Sequence, residues 1–221
     1  MKIQTLLASL LVSGAAMAQT PTMKPIVMKT PNEFYILAAS GNGKWACGTY
    51  SDYSNEQYGF LWNLETGEIE MLDPSKPSVA WAVSDDGLVV GTFEDTSYKS
   101  NGAAVELAGY WANGKWNRFE MPSDDVTSSG AASISPDGHY VTGNVQESGI
   151  YTGYIWKDGK IVKELPNTNC SMPYAIAPDG QSAAGWIERD NRTACIWEAD
   201  GEVTFLSEYQ SPWSSARKYT H

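Results

Sequence analysis

The sequence predicts an all-β fold, a β-propeller-like array of four blades that each contain about four antiparallel strands. A short strand, a Gly-centred turn, a second strand ending in Gly and a third strand ending in Trp recur four times in the same order, at intervals of about 40 to 50 residues. No stretch shows the sustained apolar period of a helix. The strand-two glycines are Gly48, Gly91, Gly143 and Gly185, and the strand-three tryptophans are Trp62, Trp111, Trp156 and Trp197.

The first and second strands of each repeat are predicted to form a hairpin, because an Asn-Gly or Asp-Gly turn lies between two short apolar runs. These turns are Asn42-Gly43, Asp86-Gly87, Asp137-Gly138 and Asp179-Gly180. A second Gly turn follows each tryptophan, and a fourth short strand follows that turn. The predicted fourth strands cover 69–72, 116–121, 161–165 and 203–206. Four strands in about 40 residues is the anatomy of a propeller blade.

Side-chain alternation in the third strand predicts burial on both of its faces. In Tyr154-Ile155-Trp156 the two aromatic residues share one face and Ile155 takes the other. The four tryptophans are therefore predicted to pack between blades. Each strand-two glycine is predicted to mark a bulge or a close approach to a neighbouring backbone. The turn aspartates are interpreted as structural, since turns favour Asp for local hydrogen bonds; they are Asp86, Asp137 and Asp179.

A set of ordered motifs runs through the repeats. Ser-x-Asp-Gly is followed by Val-Val-Gly or Val-Thr-Gly, and then by Phe-Leu-Trp or Tyr-Ile-Trp, as in 135–138, 141–143 and 154–156. This set resembles the HAF-repeat family of exported bacterial proteins. It is similar, more distantly, to the Ser-Pro-Asp-Gly repeats of TolB-type periplasmic propellers. The resemblance covers about 34–206 and implies a propeller fold, but it brings no catalytic residues.

The ends of the chain are predicted to lie outside the repeats. Residues 1–18 have the features of a secretory signal peptide: Lys2, an apolar stretch over 6–12, and Ala16-Met17-Ala18 as a cleavage site. Residues 19–33 are predicted to be a linker. The export signal and the lack of a later long apolar run predict a periplasmic or extracellular protein with no membrane span.

Residues 34–210 hold the four predicted repeats, over about 34–73, 78–122, 129–166 and 172–207. Residues 211–221 are interpreted as the start of a fifth repeat cut short, because 212–216 stands about where 171–175 precedes the first strand of repeat four. We therefore expect an open four-blade arc that further blades or a partner chain would complete. The alternative is a small closed ring, with 34–39 lying beside the fourth blade.

The chain is acidic, with 15 Lys and Arg, 26 Asp and Glu, and a formal net charge of −11. Nucleic acid is not an expected partner, because its binding depends on clustered Lys and Arg. Cys47, Cys170 and Cys195 show no paired spacing, so neither a disulfide framework nor a zinc site is predicted. Cys47 and Cys195 are interpreted as small buried residues. A bond between them stays open as an alternative that needs ring closure.

Acidic and aromatic residues recur in the segments that join the second and third strands, which emerge on one rim of a propeller. Aromatic rings beside carboxylates suit a glycan, so a protein or glycan ligand is expected there. The same oxygens suit Ca²⁺, and polar surface loops are the remaining interpretation. The ligand-binding candidates are Asp52, Tyr53, Asp95, Glu147, Tyr151, Trp186 and Asp190.

A non-enzymatic binding or scaffold module is the favoured function, since no nucleophile and base occur at a recognisable spacing. His139 follows a turn and His221 is the last residue, so no catalytic triad, metal site or cofactor is predicted. The alternative is a glycan-acting hydrolase whose carboxylates are Glu94 and Glu188, each three residues after a repeat glycine. The insertion over 95–105 in the second repeat is expected to be a protruding, mobile loop.

Overall fold

The computed structural model describes residues 33–51, 56–100, 102–166, 169–189 and 191–206, which form four antiparallel sheets of four strands each. Blade 1 contains β1 (Glu33–Ala39), β2 (Trp45–Ser51), β3 (Gln57–Asn63) and β4 (Ile69–Leu72). Blade 2 contains β5 (Ser78–Val83), β6 (Val89–Ser100), β7 (Ala103–Ala112) and β8 (Lys115–Arg118). Blade 3 contains β9 (Val126–Ile134), β10 (Tyr140–Glu147), β11 (Ile150–Lys157) and β12 (Lys160–Glu164). Blade 4 contains β13 (Ser171–Ile176), β14 (Ala183–Glu188), β15 (Arg192–Trp197) and β16 (Val203–Phe205).

The blades pack face to face in chain order. The first strand of each later blade packs on the preceding one: β5 on β1 to β3, β9 on β5 to β7, and β13 on β9 to β11. Within the described residues no comparable packing joins blade 1 to blade 4, so the array is an open arc. The predicted all-β, propeller-like array of four blades is confirmed.

The central strands of a blade are buried on both faces, which explains their runs of apolar residues. In blade 1, Cys47 and Leu61 pack into the cluster shared with blade 2, whereas Ala46 and Phe60 belong to a separate cluster. The clusters shared by blades 2 and 3 and by blades 3 and 4 are built in the same way, around Trp156 and Trp197. The core is therefore divided into layers, one between each pair of neighbouring blades.

A β-bulge lies at the same place in the first strand of every blade. The bulged residues, which have no partner in the register with the second strand, are Leu37, Trp81, Ala132 and Tyr174. Each bulge brings a first-strand carbonyl against the repeat glycine: a Cβ on Gly48, Gly91, Gly143 or Gly185 would lie 1.9–2.1 Å from that oxygen. Because no side chain fits in that space, the position requires glycine.

One hydrogen bond recurs at each interface between blades. A backbone N–H of the third strand donates to a Ser Oγ on the first strand of the next blade. The pairs are Gly59 to Ser78 at 3.0 Å, Ala108 to Ser129 at 2.8 Å and Gly153 to Ser171 at 2.7 Å. All six residues are buried or half-buried. The bond gives a third-strand N–H a partner outside its own sheet.

The repeat tryptophans form a second recurring link, in the opposite direction. The indole Nε1 of Trp156 donates to the Glu120 carbonyl and that of Trp197 to the Pro166 carbonyl, each at 2.8 Å. The indole of Trp111 donates to Glu70 Oε1, also at 2.8 Å. Trp62 is buried, as Trp156 and Trp197 are, but its Nε1 has no acceptor among the described residues. Three of the four tryptophans therefore bond to the preceding blade.

The hairpin turns are built around the Asx side chain. Asp137 Oδ1 accepts from the Ser135 hydroxyl and from the His139 N–H, and Asp86 accepts from the Ser84 hydroxyl. Asp179 Oδ1 accepts from the Gln181 N–H at 3.0 Å. These contacts agree with the structural interpretation of the turn aspartates.

The insertion in the second repeat is a strand hairpin, so the prediction of a loop over 95–105 was wrong. β6 and β7 are longer than the second and third strands of the other blades, and their register is irregular after Asp95. The hairpin is held from both sides: the Tyr98 hydroxyl accepts from the Val126 N–H at 3.1 Å, and the Arg118 guanidinium lies 5.1 Å from the Tyr98 ring centroid. These contacts give the insertion a defined conformation.

The three cysteines are free and buried, so the Cys47–Cys195 bond left open by the sequence is not formed. Cys47 lies in the layer between blades 1 and 2, and Cys195 lies in the layer between blades 3 and 4. Burial raises the pKa of the Cys47 thiol to about 12 and that of Cys195 to about 11. Both side chains therefore serve as small core residues.

Candidate functional site

A cavity of about 370 Å³ opens between blades 1 and 2, at the end of the sheets where the second strand meets the third. Its lining combines two carboxylates, from Glu56 and Glu106, with the rings of Trp81 and Phe93. Glu56 immediately precedes β3, whereas Trp81 and Glu106 lie on β5 and β7. Acidic and aromatic residues therefore lie together on this rim, but none of the described candidates named from the sequence is among the residues that line the cavity.

The aromatic wall of the cavity is held by its neighbours. Trp81 occupies the bulge of β5, remains 43% exposed, and donates its indole N–H to Thr92 Oγ1 at 3.2 Å. Phe93 is buried and stacks on Trp116, with ring centroids 5.5 Å apart and planes at 4°. The Trp81 indole therefore presents an accessible π surface next to the buried ring of Phe93.

The two carboxylates give the cavity a negative character. Glu56 is exposed and accepts a hydrogen bond of 2.5 Å from the Tyr58 hydroxyl. Glu106 is also exposed and lies opposite Glu94 in the β6–β7 register. No Lys or Arg is among the described residues that line the cavity. The site is therefore suited to groups that donate hydrogen bonds or carry positive charge.

The hydrolase pair proposed from the sequence is divided between two blades. Glu94 lies on β6 opposite Glu106, and Glu188 lies on β14 opposite Arg192. Blade 3 stands between them in the array. Glu94 is not among the described residues that line the cavity, whereas its cross-strand neighbour Glu106 is.

Asp95 is committed to structural contacts. Its carboxylate accepts from the Ser97 N–H at 2.8 Å, from the Ser97 hydroxyl, and from the Arg118 guanidinium at 2.8 Å. Burial alone would raise the pKa of Asp95, but these hydrogen bonds and the positive charge outweigh it, and the pKa lies below its usual value. The side chain holds the long hairpin to β8.

The other candidates are spread over blades 3 and 4. Glu147 accepts from the Ser123 hydroxyl, and Tyr151 lies opposite Gln146 in the β10–β11 hairpin. Trp186 donates to the Tyr174 hydroxyl at 3.3 Å and lies 4.6 Å from the Arg192 guanidinium. Asp52, Tyr53 and Asp190 lie outside the described residues. Across the described ranges, no group of three or more His, Cys, Asp and Glu side chains could hold a metal ion.

A second cavity of about 530 Å³ lies between blades 2 and 3, toward the outer strands. Cations from Arg118 and Lys160 mix there with three carboxylates, so the charges partly compensate one another; the carboxylates belong to Glu120, Asp124 and Asp158. Nearby, His139 Nδ1 lies 2.7 Å from Asp158 Oδ1, and this hydrogen bond raises the pKa of the imidazole. The lining of this cavity does not favour one class of charged ligand.

Trp81 and Glu106 were not identified from the sequence. A signal for Trp81 was present, because an aromatic residue stands third after the interface serine in both Ser78-Val-Ala-Trp81 and Ser171-Met-Pro-Tyr174. The bulge exposes both of these rings. No comparable signal marked Glu106, which directly follows the insertion and lies next to the irregular register of β6 and β7.

No known family model matches the chain, and no curated protein matches it. Solved structures do resemble it. TolB from Acinetobacter baumannii is 19% identical, with a TM-score of 0.53 over 77% of this chain and 42% of that one. A putative TolB from Agrobacterium tumefaciens is 16% identical, with a TM-score of 0.55 over 76% of this chain and 63% of that one. The match spans less than two thirds of either structure, and at these identities it shows the propeller-like fold alone.

The described part of the chain contains no helix of the length and apolarity needed to cross a membrane.

Proposed function

We propose that this protein is an exported, non-enzymatic binding module, and that the cavity between blades 1 and 2 receives a Lys or Arg side chain of a protein partner. The observation that carries the proposal is the lining of that cavity: Glu56 and Glu106 lie beside the accessible ring of Trp81, without a lining cation to balance them. Carboxylates pair with a cationic head group, and an indole face attracts it through the ring quadrupole.

The charge of the whole chain supports the same partner. A net charge of −11 attracts basic segments at long range and accelerates their encounter with the protein. The cavity, at about 370 Å³, is in the size range of ligand sites. Export rests on the signal-like features of residues 1–18, which favour a partner in the periplasm or outside the cell.

The test uses short acetylated peptides with a central Lys or Arg, and a matched peptide with norleucine. Binding is followed by the NMR shift of the Trp81 indole N–H. We expect the basic peptides to move this resonance, with an affinity that falls as salt rises, and the norleucine peptide to leave it in place.

The register between β6 and β7 offers a matched control. Glu106→Gln should weaken binding of the Lys peptide about five-fold or more, because it removes one of two lining carboxylates. Glu94→Gln makes the same change of charge on the cross-strand neighbour outside the cavity, and should leave the affinity within about two-fold. Equal losses in the two variants would reduce the effect to net charge and contradict the proposed site.

Soluble oligosaccharides, tested against the same indole resonance, separate the two ligand classes. A shift with oligosaccharides and none with basic peptides would replace the protein partner by a glycan. The hydrolase alternative, with Glu94 and Glu188, has no supporting contact between those two residues; any hydrolysis that survives Glu188→Gln would remove it.

A further inference from the structure

A third cavity, of about 210 Å³, lies between blades 2 and 3, at the opposite end of the sheets from the cavity that contains Trp81. The turns that hold Gly138 and Gly159 form part of its rim. Both blades contribute to its apolar wall, which consists of Leu88, Val90, Tyr110, Phe119 and Val141. The deepest part of this wall belongs to the buried core that blades 2 and 3 share. The cavity is therefore an apolar pocket that opens at the turn end of the sheets.

An aromatic ring occupies the equivalent place at the other two interfaces between blades. The residue three positions before the repeat glycine packs toward the next blade, and it is Trp45 in blade 1 and Tyr140 in blade 3. Each ring lies directly on the turn glycine of that next blade. A Cβ on Gly87 would lie 2.9 Å from the Trp45 ring, and a Cβ on Gly180 would lie 2.1 Å from the Tyr140 ring. These rings close the turn end of both layers.

Blade 2 has a smaller side chain at this position. Its residue three positions before the repeat glycine is Leu88, and a Cβ on Gly138 would lie 3.6 Å from Leu88 Cδ2, an ordinary contact distance. Leu88 also follows Gly87 directly, whereas one residue separates the turn glycine from Trp45 and from Tyr140. The cavity is therefore the space where an aromatic ring is missing from the repeat.

His139 supplies a polar group to the lining of this cavity. Its Nδ1 lies 2.7 Å from Asp158 Oδ1, and the Asp158 N–H donates to the His139 carbonyl at 3.0 Å. These two contacts hold the imidazole beside Asp158. With the Nδ1–H donating to that carboxylate, Nε2 is the ring nitrogen that can accept a hydrogen bond from a ligand.

We propose that this cavity binds a small aromatic molecule that carries one hydroxyl group, a compound of the phenol class. The ring takes the place that Trp45 and Tyr140 fill at the other interfaces, and the hydroxyl donates to His139 Nε2. An apolar cavity of about 150 Å³ holds one benzene molecule, so a cavity of about 210 Å³ suits a single substituted ring. An apolar wall with a few placed polar groups is the usual composition of a small-molecule site.

The test uses p-cresol as the ligand and toluene as the matched compound that lacks the hydroxyl. The chain contains two histidines, so the NMR signal of the His139 imidazole can be assigned against that of His221. We expect p-cresol to move the His139 signal and to give intermolecular NOEs to the methyl groups of Leu88 and Val141. Toluene should bind about five-fold more weakly, because it makes no hydrogen bond to the imidazole.

Substitution of Leu88 restores the missing ring. Leu88→Tyr should weaken p-cresol binding about ten-fold or more, because the new side chain fills the cavity, and Leu88→Phe repeats the test without a new hydroxyl. Val162→Tyr is the matched control: it adds the same ring at a side chain that is 54% exposed and outside the lining, and should leave the affinity within about two-fold.

His139→Ala separates the hydroxyl from the ring. This variant should lose the preference for p-cresol over toluene, while its affinity for toluene stays within about two-fold of the unmodified chain.

Three results would overturn the proposal. The first is a His139 signal that does not move at millimolar p-cresol. The second is an affinity for p-cresol that is unchanged in both Leu88→Tyr and Leu88→Phe. The third is a set of NOEs to Met121 in place of Leu88, because Met121 lines the larger charged cavity and not this one. The NOEs need no variant, so they decide the proposal even if a substitution at Leu88 prevents folding.

Discussion

Replacing Trp156 with alanine tests whether the repeat tryptophans hold the blades together. The side chain is fully buried, stacks on Phe119 of blade 2 with ring centroids 5.4 Å apart, and donates to the Glu120 carbonyl at 2.8 Å. Removing a large aromatic side chain from such a core costs about 3–5 kcal/mol. Because a domain of this kind is stable by roughly 5–15 kcal/mol, the loss is a large part of the total.

A second substitution separates the ring from its hydrogen bond. Trp156→Phe keeps most of the apolar contact with blade 2 and loses the indole N–H. The net value of that bond is about 0.5–1.5 kcal/mol. We expect Trp156→Phe to cost about 1–2 kcal/mol when the change in ring shape is included.

Urea denaturation followed by far-UV circular dichroism measures both losses, since nine tryptophans complicate a fluorescence signal. Trp81→Ala is the control: its side chain is 43% exposed, so the free energy of unfolding should change by no more than about 1 kcal/mol. A loss below about 1 kcal/mol for Trp156→Ala, or equal losses for the two alanine variants, would refute the role of the tryptophan layers.

Three further predictions follow from local geometry. Gly143→Ala should destabilise the fold by about 1–3 kcal/mol in urea denaturation, because its Cβ would lie 2.0 Å from a carbonyl oxygen. Gly130→Ala should cost less stability, because its Cβ would approach only a Thr hydroxyl, at 3.0 Å. A larger loss for Gly130→Ala than for Gly143→Ala would contradict the role given to the bulge. An NMR titration should give His139 a pKa above its usual value, and the pKa should return toward that value in Asp158→Asn. Because the pKa is raised in the folded state, the contribution of this pair to stability is present below about pH 6.5 and is lost as the pH rises through the folded pKa. Cys47 should resist a thiol reagent at pH 8 in the folded protein and react after denaturation, because burial raises its pKa to about 12; rapid reaction in the native state would show that the layer between blades 1 and 2 opens.

The repeat could be predicted from the sequence because its elements depend on local chemistry. Three of these elements can be recognised within a few residues of sequence: the Asp-Gly turns, the two-sided burial around Ile155, and the glycine that ends each second strand. The same marks distinguish blades from helices, and the fold class follows from their order.

The insertion and the site depend instead on distant partners. The hairpin beyond Asp95 shows no strand alternation, because it extends past the blade layers and its conformation is set by Tyr98 against Arg118 and Val126. In the sequence Asp95 fits the pattern of a ligand-binding residue, but its carboxylate accepts a hydrogen bond from Arg118, 23 residues away. Glu106 and Trp81 line one cavity with Glu56 because blades 1 and 2 stack. The spacing of residues within one repeat does not predict which residues two stacked blades bring together.

The hydrogen bonds made by the interface serines and by the repeat indoles each join two adjacent blades. Each interface therefore depends only on the two blades that form it. Blades 1 to 3 each supply a third-strand N–H to the blade after them, and blades 2 to 4 each supply an indole N–H to the blade before them. Units joined in this way are interchangeable in principle: duplicating one of them leaves the chemistry of every other joint as it was. An ancestral gene could therefore gain or lose whole blades by recombination, and the number of blades becomes a heritable variable that selection adjusts separately from the stability of each joint.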